Sequence, residues 1–496
     1  MSAEETARED PLLQALEGTA AVEEAPPRGP VRQLRIPMDE LATSTRRLID
    51  VGGHFAGVFR SESEDSLRAL LALRGELIVL RTPLDGARSY PSLSRVTPAA
   101  RLPERELHDV SGVVPLDHPQ LDPALRPSAD ELERVVTGPE TFVLPYGPIR
   151  SGVFEAIQFP IDTGGEDILA FTVRPYFKRR NLEARFQGLD FDHGTYLAER
   201  IAGTESVAQA IAFAQAVERV AGIEAPRLAQ RWRVVHAELE RIANHLDVGI
   251  KLAEDAALSV GVARLGVLKE QVMRLRARLC GNRFGRGVLM PGGVRREPLL
   301  SSAEVIQAID SFEDDLRRDR SLLLATASFT DRLIGSGRLD AETVMRYGGV
   351  GPIARACSLG IDARLERPYG SYGRLGFRIA RTTGGDAMAR FEVRLEEIDQ
   401  SVHVIRQALE RLDGDMAALR IAITDASGEG CGWAEAPNGE VIYWIAIEDG
   451  RLREVHIVSP SLRNWPLLSE SYRGDVLTDV SFIEHSFGLT PAGADR

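Results

Sequence analysis

The sequence predicts an α+β protein: a small mixed α+β module, then a large helix-bundle domain with peripheral β-strands. Three observations predict this. Two β-type runs, "HFAGVFRS" (54–61) and "ELIVLRT" (76–82), flank "EDSLRALLALRG", which reads as helical and completes the small module. Further along, apolar residues recur by threes and fours over long stretches, the signature of amphipathic helices. Strand-like runs precede these helices ("TFVLPYG", "FEAIQFPI", "DILAFTVRPYF") and follow them ("EVIYWIAIEDG", "LREVHIVSP").

Residues 1–30 are dominated by Glu, Ala and Pro without an apolar period, and are expected to be a disordered leader. The small module takes 31–125 and a linker 126–142, with the boundary near 125–140. The Pro-punctuated stretch 86–140 is expected to be irregular. The large domain is 143–496. Its first stripe is Leu228, Trp232, Val235, Leu239, Ile242, Leu246 and Ile250. Leu265, Leu268, Val272, Leu275 and Leu279 form a second, which Gly281 ends. Leu395, Ile398, Val402, Ile405, Leu409 and Leu412 form a third. An Ala-rich helix after Ser206 and another around 303–325 complete a bundle.

A net charge of −13 argues against a nucleic-acid partner, because phosphate binding needs a basic face. No apolar run is long enough for a membrane-spanning helix, and the N-terminal stretch lacks the layout of a signal peptide, so a cytoplasmic location is expected. Cys280, Cys357 and Cys431 lie far apart and no CxxC occurs, so local spacing builds neither an iron–sulfur nor a zinc-ribbon site.

Four segments could carry chemistry. In "ERIAGTESVAQ" (199–209) a Gly-containing turn presents Thr204 and Glu205 at a helix start. Ser206 and Gln209 fit a capping box there, and the helix dipole favours Glu205. His236, Glu240 and Asn244 follow one another by fours opposite the first stripe, beside Arg241 and His245; they are either surface pairs or a buried network. After the Gly384–Gly385–Asp386 turn, Arg390 and Arg394 stand four apart, a spacing suited to gripping carboxylates of a neighbouring helix or protein. No P-loop or GxGxxG fingerprint accompanies them. The last segment, 477–489, holds Asp479, Ser481, Glu484 and His485 in a stretch suited to a buried strand or turn, without a nucleophile elbow.

Taken in order, the segments resemble one superfamily: the large subunit of group-4, energy-converting nickel–iron hydrogenases and the D-type subunit of respiratory complex I. "YPSLSRVTPAARLPERELHDVSGVVPLDHPQL" (90–121) resembles the signature of complex I's C-type subunit, with its ERE, DxxG and HP elements. "RRNLEARFQGL", "ELERIANHLD", "RGVLMPGGV", "GGVGPIARA", "TGGDAMARFEVRLEEIDQSV" and "EAPNGE" then follow in the order of the large subunit. The chain thus looks like a fusion of the C and D types, as in formate-hydrogenlyase-type hydrogenases.

The departures from the family pattern are specific. Catalytic hydrogenases of the family carry RxCGxC and DPCxxC, whose thiolates hold nickel and iron as soft ligands. On those motifs the ligand positions here are Ala202, Glu205, Ser481 and Glu484, none of them cysteine. Asn438 stands where the family's EAPRG has arginine, and "RRNLE" keeps only Glu183 of an HRGxE-like segment. The quinone-contacting tyrosine of complex I falls at Gly203, and Arg150 is the polar group nearest its GPxHP histidine.

The resemblance therefore implies a peripheral-arm large subunit of a membrane-bound, complex I-like or hydrogenase-4-like oxidoreductase, shaping a quinone- or proton-handling cavity without a nickel–iron centre. The alternative is a non-catalytic structural or assembly subunit; a third reading is an active formate-hydrogenlyase-type hydrogenase. No cofactor is expected on this chain itself, quinone being the one it could meet. Implied partners are a small iron–sulfur protein that carries the cluster, a membrane anchor and antiporter-like membrane subunits, at the inner face of the cell membrane. Glu205 and Glu484 are expected to face one former metal cavity as a carboxylate pair with one pKa raised, and Arg200 to serve as their counter-ion.

Overall fold

The structure, a computed structural model, describes residues 11–23, 30–130, 132, 134–150, 155–410 and 419–496. The chain forms two compact units, Met1–Pro127 with Met345–Gly348, and Ser128–Val344 with Gly349–Arg496.

The first unit is built on a five-stranded sheet of β1 (Val22–Glu23), β2 (Val31–Arg35), β3 (His54–Ser61), β4 (Ser66–Leu73) and β5 (Glu76–Pro83), in the order β1-β2-β5-β4-β3. Strand β4 corrects the helix expected between the β-type runs. All eight of its residues are buried, and it pairs antiparallel with β3 on one side and β5 on the other. Leu, Ala and Arg favour helix in isolation, but a short apolar run flanked by two strands gains more as the central strand. The leader expectation is also corrected over 11–23. There, α1 (Pro11–Ala15) is followed by Leu16, Leu12 and Leu16 enter the sheet's core, and β1 pairs with β2; residues 1–10 and 24–29 lie outside the described residues.

Helices α2 (Leu41–Asp50) and α3 (Arg101–Ser111) belong to the same unit. Helix α3 and a parallel pair, Ser89–Pro91 with Val114–Leu116, replace part of the irregular stretch expected over 86–140. Glu104 explains the order: fully buried, it accepts hydrogen bonds from Ser92 Oγ (2.7 Å), Leu93 N (2.7 Å) and Ser94 N (3.0 Å), fixing the preceding loop.

The second unit opens with an antiparallel sheet of β6 (Phe142–Tyr146), β7 (Phe159–Thr163) and β8 (Ile168–Phe171). Its long helices are α4 (Ser206–Ala221), α5 (Arg227–Asp255), α6 (Ser259–Cys280), α7 (Ser302–Leu324) and α8 (Ala387–Glu410). They match the apolar stripes; Leu412 lies outside the described residues. Helix α6 ends as expected at Gly281, which takes the left-handed conformation at φ 77°. Helix α5 is buried on nearly every side, so His236, Glu240 and Asn244 belong to the interior rather than to a solvated face.

A meander of β9 (Gly428–Ala436), β10 (Gly439–Glu448) and β11 (Arg451–Val458) lies against α4. The Ala-rich surface of α4 permits close approach: a Cβ on Gly432 would stand 2.0 Å from Ala212 O. This contact brings the β9–β10 turn, with Asn438, into the bundle. The segment expected to be a strand or turn near the C-terminus is instead a helix, α9 (Val480–Phe487). Val480, Ile483 and Phe487 recur at helical spacing and are buried, and Gly488 ends the helix at φ 68°.

Candidate functional site

The turn between Ala198 and α4 is held from both sides. Arg180 donates to Arg200 O (2.9 Å) and Ile201 O (2.6 Å), and the same guanidinium reaches Ala492 O (2.6 Å). Glu199 accepts from Gly287 N at 2.7 Å. The expected capping box does not form. Ser206 Oγ donates back to Gly203 O, and Gln209 Oε1 accepts from Tyr443 OH. The exposed-amide problem at the start of α4 is solved instead by Glu240 of α5, which accepts from Val207 N (2.8 Å) and Ala208 N (3.0 Å).

Glu205 is fully buried. Asn438 Nδ2 donates to its Oε1 at 3.2 Å, while its Oε2 and Gln209 Nε2 face one another without a hydrogen bond of good geometry. Burial pushes its pKa up to about 7; the Asn438 bond opposes this and the neighbouring Glu240 charge adds to it. Glu240 and Glu199 are likewise pushed up to about 7, chiefly by burial.

From Asn438 a buried polar ladder continues. Arg394 Nη2 donates to Asn438 Oδ1 (3.0 Å) and to Phe487 O (2.8 Å), and Arg394 Nη1 donates to His245 Nδ1 (3.0 Å). His245 must then carry its proton on Nε2, which donates to Glu397 Oε2 at 2.8 Å. Burial holds His245 neutral, its pKa lowered to about 3. Glu397 pairs with Arg355 at 2.6 Å, and Arg355 with Glu435 at 2.8 Å. Asp362 and Arg364 pair at 2.7 Å, and Arg364 reaches Glu238, which also accepts from Ser401 Oγ and Tyr372 OH. Arg241 sits between Glu238 and Glu397. Carboxylates at Glu238, Asp362, Glu397 and Glu435 thus meet guanidiniums at Arg241, Arg355 and Arg364, while Arg394 donates to Asn438, Phe487 O and His245. No described cation hydrogen-bonds Glu205; the attraction of the Arg394 charge is outweighed by burial, so the protonated form suits its place.

The expected pairing of Glu205 with Glu484 is corrected. Glu484, on α9, is engaged by Arg150 through two hydrogen bonds of 2.7 Å each, and Arg150 lies over the rings of Tyr146 (4.6 Å) and Phe159 (4.8 Å). Among the described residues no hydrogen bond or ion pair joins Glu484 to Glu205. Arg200 is counter-ion to neither: it is exposed, and its guanidinium donates to Tyr196 O. Ala202 is buried and Ser481 half-buried. Arg390 and Arg394 grip the end of α9 and its flanking backbone rather than carboxylates; Arg390 donates to Ser486 Oγ, Gly337 O and Gly385 O. Sequence reasoning missed the partners of Glu205. The fourfold spacing of His236, Glu240 and Asn244 was the local signal for one of them; Asn438 stood out only as a departure from the family's EAPRG, and nothing tied it to Glu205, 233 positions away.

As a set, these donors do not suit a nickel–iron centre. Ala202 offers no ligand atom, Glu484 is committed to Arg150, and no thiol stands at any of the four positions.

Comparisons with known proteins place the whole architecture. The model of the family described as respiratory-chain NADH dehydrogenase, 30 Kd subunit, matches residues 37–135, and that of the 49 Kd subunit matches 264–426. Formate hydrogenlyase subunit 5 of Escherichia coli (strain K12) is 26% identical over 90% of this chain and 83% of its own length. The D 1 subunit of the NADH-quinone oxidoreductase of Solibacter usitatus (strain Ellin6076) is 26% identical over 74% of this chain and 97% of its own. In the solved structure of the membrane-bound sulfane sulfur reductase, an archaeal respiratory membrane complex, one chain superimposes with a TM-score of 0.68 at 25% identity, over 72% of this chain and 99% of that one. The chain therefore joins a domain of the 30 kDa type to one of the 49 kDa type in one polypeptide, and belongs to the superfamily of those two complex I subunits and the large subunits of group-4 hydrogenases.

Proposed function

We propose that this chain is a peripheral large subunit of a membrane-bound, complex I-like or hydrogenase-4-like oxidoreductase, in which the interior around Glu205 handles protons and holds no nickel–iron centre. The observation that carries the reading is Glu205 itself. A carboxyl buried at a ligand position of the family, titrating near neutrality at the end of a charge-balanced ladder, is suited to taking up and releasing a proton. The donor set at Ala202, Ser481 and Glu484 supports the absence of metal. Packing supports protons rather than a quinone head group beside Glu205, because Arg394 and Asn438 close the space next to Gly488.

In this reading the partners are a small iron–sulfur protein, a membrane anchor and antiporter-like membrane subunits, at the inner face of the membrane. Attachment would come through those partners, since no described helix is long and apolar enough to cross a membrane. The likeness to a chain of the membrane-bound sulfane sulfur reductase, an archaeal respiratory membrane complex, supports it.

The test is Glu205→Gln in the assembled complex. Proton-coupled turnover falls about a hundredfold, the lower end of what a positioned proton donor contributes, while reduction of the partner's iron–sulfur cluster continues. Unchanged coupling would sink the reading. The ion-pair ladder favours a second one, a structural or assembly role. That reading predicts unchanged coupling in Glu205→Gln, together with loss of the assembled complex when the ladder is broken at Arg355.

A further inference from the structure

The face of α5 that carries His236, Glu240 and Asn244 is only partly used by the ladder. Glu240 caps α4, yet its nearest cation, Arg276 of α6, stands 3.8 Å away, too far for a hydrogen bond. Buried polar atoms without a hydrogen bond cluster along this face: His236 Nδ1, Asn244 Oδ1, Arg276 Nε and Nη2, Gln209 Nε2 and Glu205 Oε2. Interiors rarely leave so many such atoms together, and water commonly bridges them. At the outer end, His236 lines a void of about 10 Å³ with Cys280, Arg296 and Glu297, room for about one water molecule. Arg296 and Glu297 are exposed, so the void borders the surface.

We propose that this face is a proton lead, carrying protons from the void at Arg296 and Glu297 past His236 to Glu240, and from Glu240 to Glu205. The lead rests on the proton-handling reading of Glu205. In each transfer His236 accepts a proton at one ring nitrogen and releases one from the other, so the ring stays neutral. The Glu240 carboxylate takes the proton, then yields it through water to a Glu205 that has just given up its own. One proton moves inward, and no electron or heavy-atom bond changes. The groups facing Glu240 suit a carrier: Arg276 from α6, Glu205 and Glu199 from the turn, Arg241 from its own helix, and the amides of Val207 and Ala208. His236 is held neutral by burial and then by Arg276, its pKa lowered to about 3, and Glu240 titrates near 7.

The test uses Glu240→Gln, Glu240→Asp, His236→Leu and Glu205→Gln in the assembled complex, with infrared titration of buried carboxyls in the purified chain. Glu240→Gln and His236→Leu each lower proton-coupled turnover about a hundredfold, and Glu240→Asp retains most of it. In Glu240→Gln the Glu205 carboxyl band titrates at lower pH, because a like charge has been removed. Glutamine keeps an oxygen for only one of the two α4 amides, so urea unfolding of Glu240→Gln is read beside turnover: lost coupling in a chain that keeps its stability and assembles marks the relay, whereas a purely structural role would lose stability and coupling together. If Glu205→Gln blocks coupling while Glu240→Gln and His236→Leu work normally, the lead is overturned and the Glu205 reading stands. If all three work normally, both fall.

Discussion

Asn438 Nδ2 donates to Glu205 Oε1 across 3.2 Å, tying the turn before α4 to the β9–β10 hairpin. The orientation of this amide follows from its neighbours: Oδ1 accepts from Arg394 Nη2, which leaves Nδ2 for Glu205. Asn438 thus links a carboxyl suited to protonation with Arg394 and the ladder of ion pairs beyond it.

Replacing Asn438 with Leu removes the donor for Glu205 and the acceptor for Arg394 together, in a buried site. Loss of about 1–3 kcal/mol per buried partner is expected, read as a lower urea midpoint at constant m. Glu205 should also titrate higher, because the bond that stabilises its charged form is gone.

The buried carboxyls set a pH dependence of stability. Glu199, Glu205 and Glu240 rise from 4.5 to about 7 on folding, so between those values the folded chain binds more protons than the unfolded one. Stability from this source is full below the unfolded pKa and is lost as pH rises through about 7, by up to about 1.4 kcal/mol per pH unit for each group. Urea unfolding of the wild type should weaken from about pH 5 to about pH 8, and Glu205→Gln should weaken less over the same range. An equal slope in both would show that Glu205 does not hold a proton in the folded chain.

Much of this was legible in the sequence. The stripes of α5, α6 and α8 gave the bundle because a buried helix face must repeat by threes and fours. The turn at 199–209 gave Glu205. Strand β4 was not legible, since eight buried residues between two strands carry no period to separate them from a helix. Arg150 and Glu484 are 334 positions apart, and the pairing expected for Glu484 came only from a shared ancestral centre, which says nothing of a cation brought in from beside β6. Arg200 was excluded by local geometry: it follows a helix end whose backbone turns its side chain back toward Tyr196.

The Arg150–Glu484 pair offers a double-mutant cycle. Both side chains are nearly buried, at 6% and 10% exposure, so removing either one strands the other. Arg150→Ala should cost about 3–5 kcal/mol, since it leaves a carboxylate beside aromatic rings. Glu484→Ala should cost less, because the guanidinium keeps its place over Tyr146 and Phe159. The double variant should be less destabilised than the sum, with a coupling of about 1–3 kcal/mol in chemical denaturation. Additive losses would mean that the pair does not form in solution.

His245 gives the most direct check on the ladder. It accepts from Arg394 at Nδ1 and donates to Glu397 from Nε2, so one tautomer is fixed by the partners on both sides. A third element sets its charge: burial outweighs the attraction of Glu397, and the ring stays neutral until about pH 3. Nitrogen-15 NMR of histidine-labelled chain should therefore show a protonated Nε2 and an unprotonated Nδ1 for this residue, unchanged across the range where exposed histidines titrate, around pH 6.5. Replacing Glu397 with Gln should leave the tautomer and remove a charge that favours the cation, keeping the ring neutral. Replacing Arg394 with Met removes the donor at Nδ1 and a repelling charge, so the His245 pKa should rise. A ring that titrates near pH 6.5 in the wild type would mean that the ladder is open to water, and with it the interior assigned to Glu205.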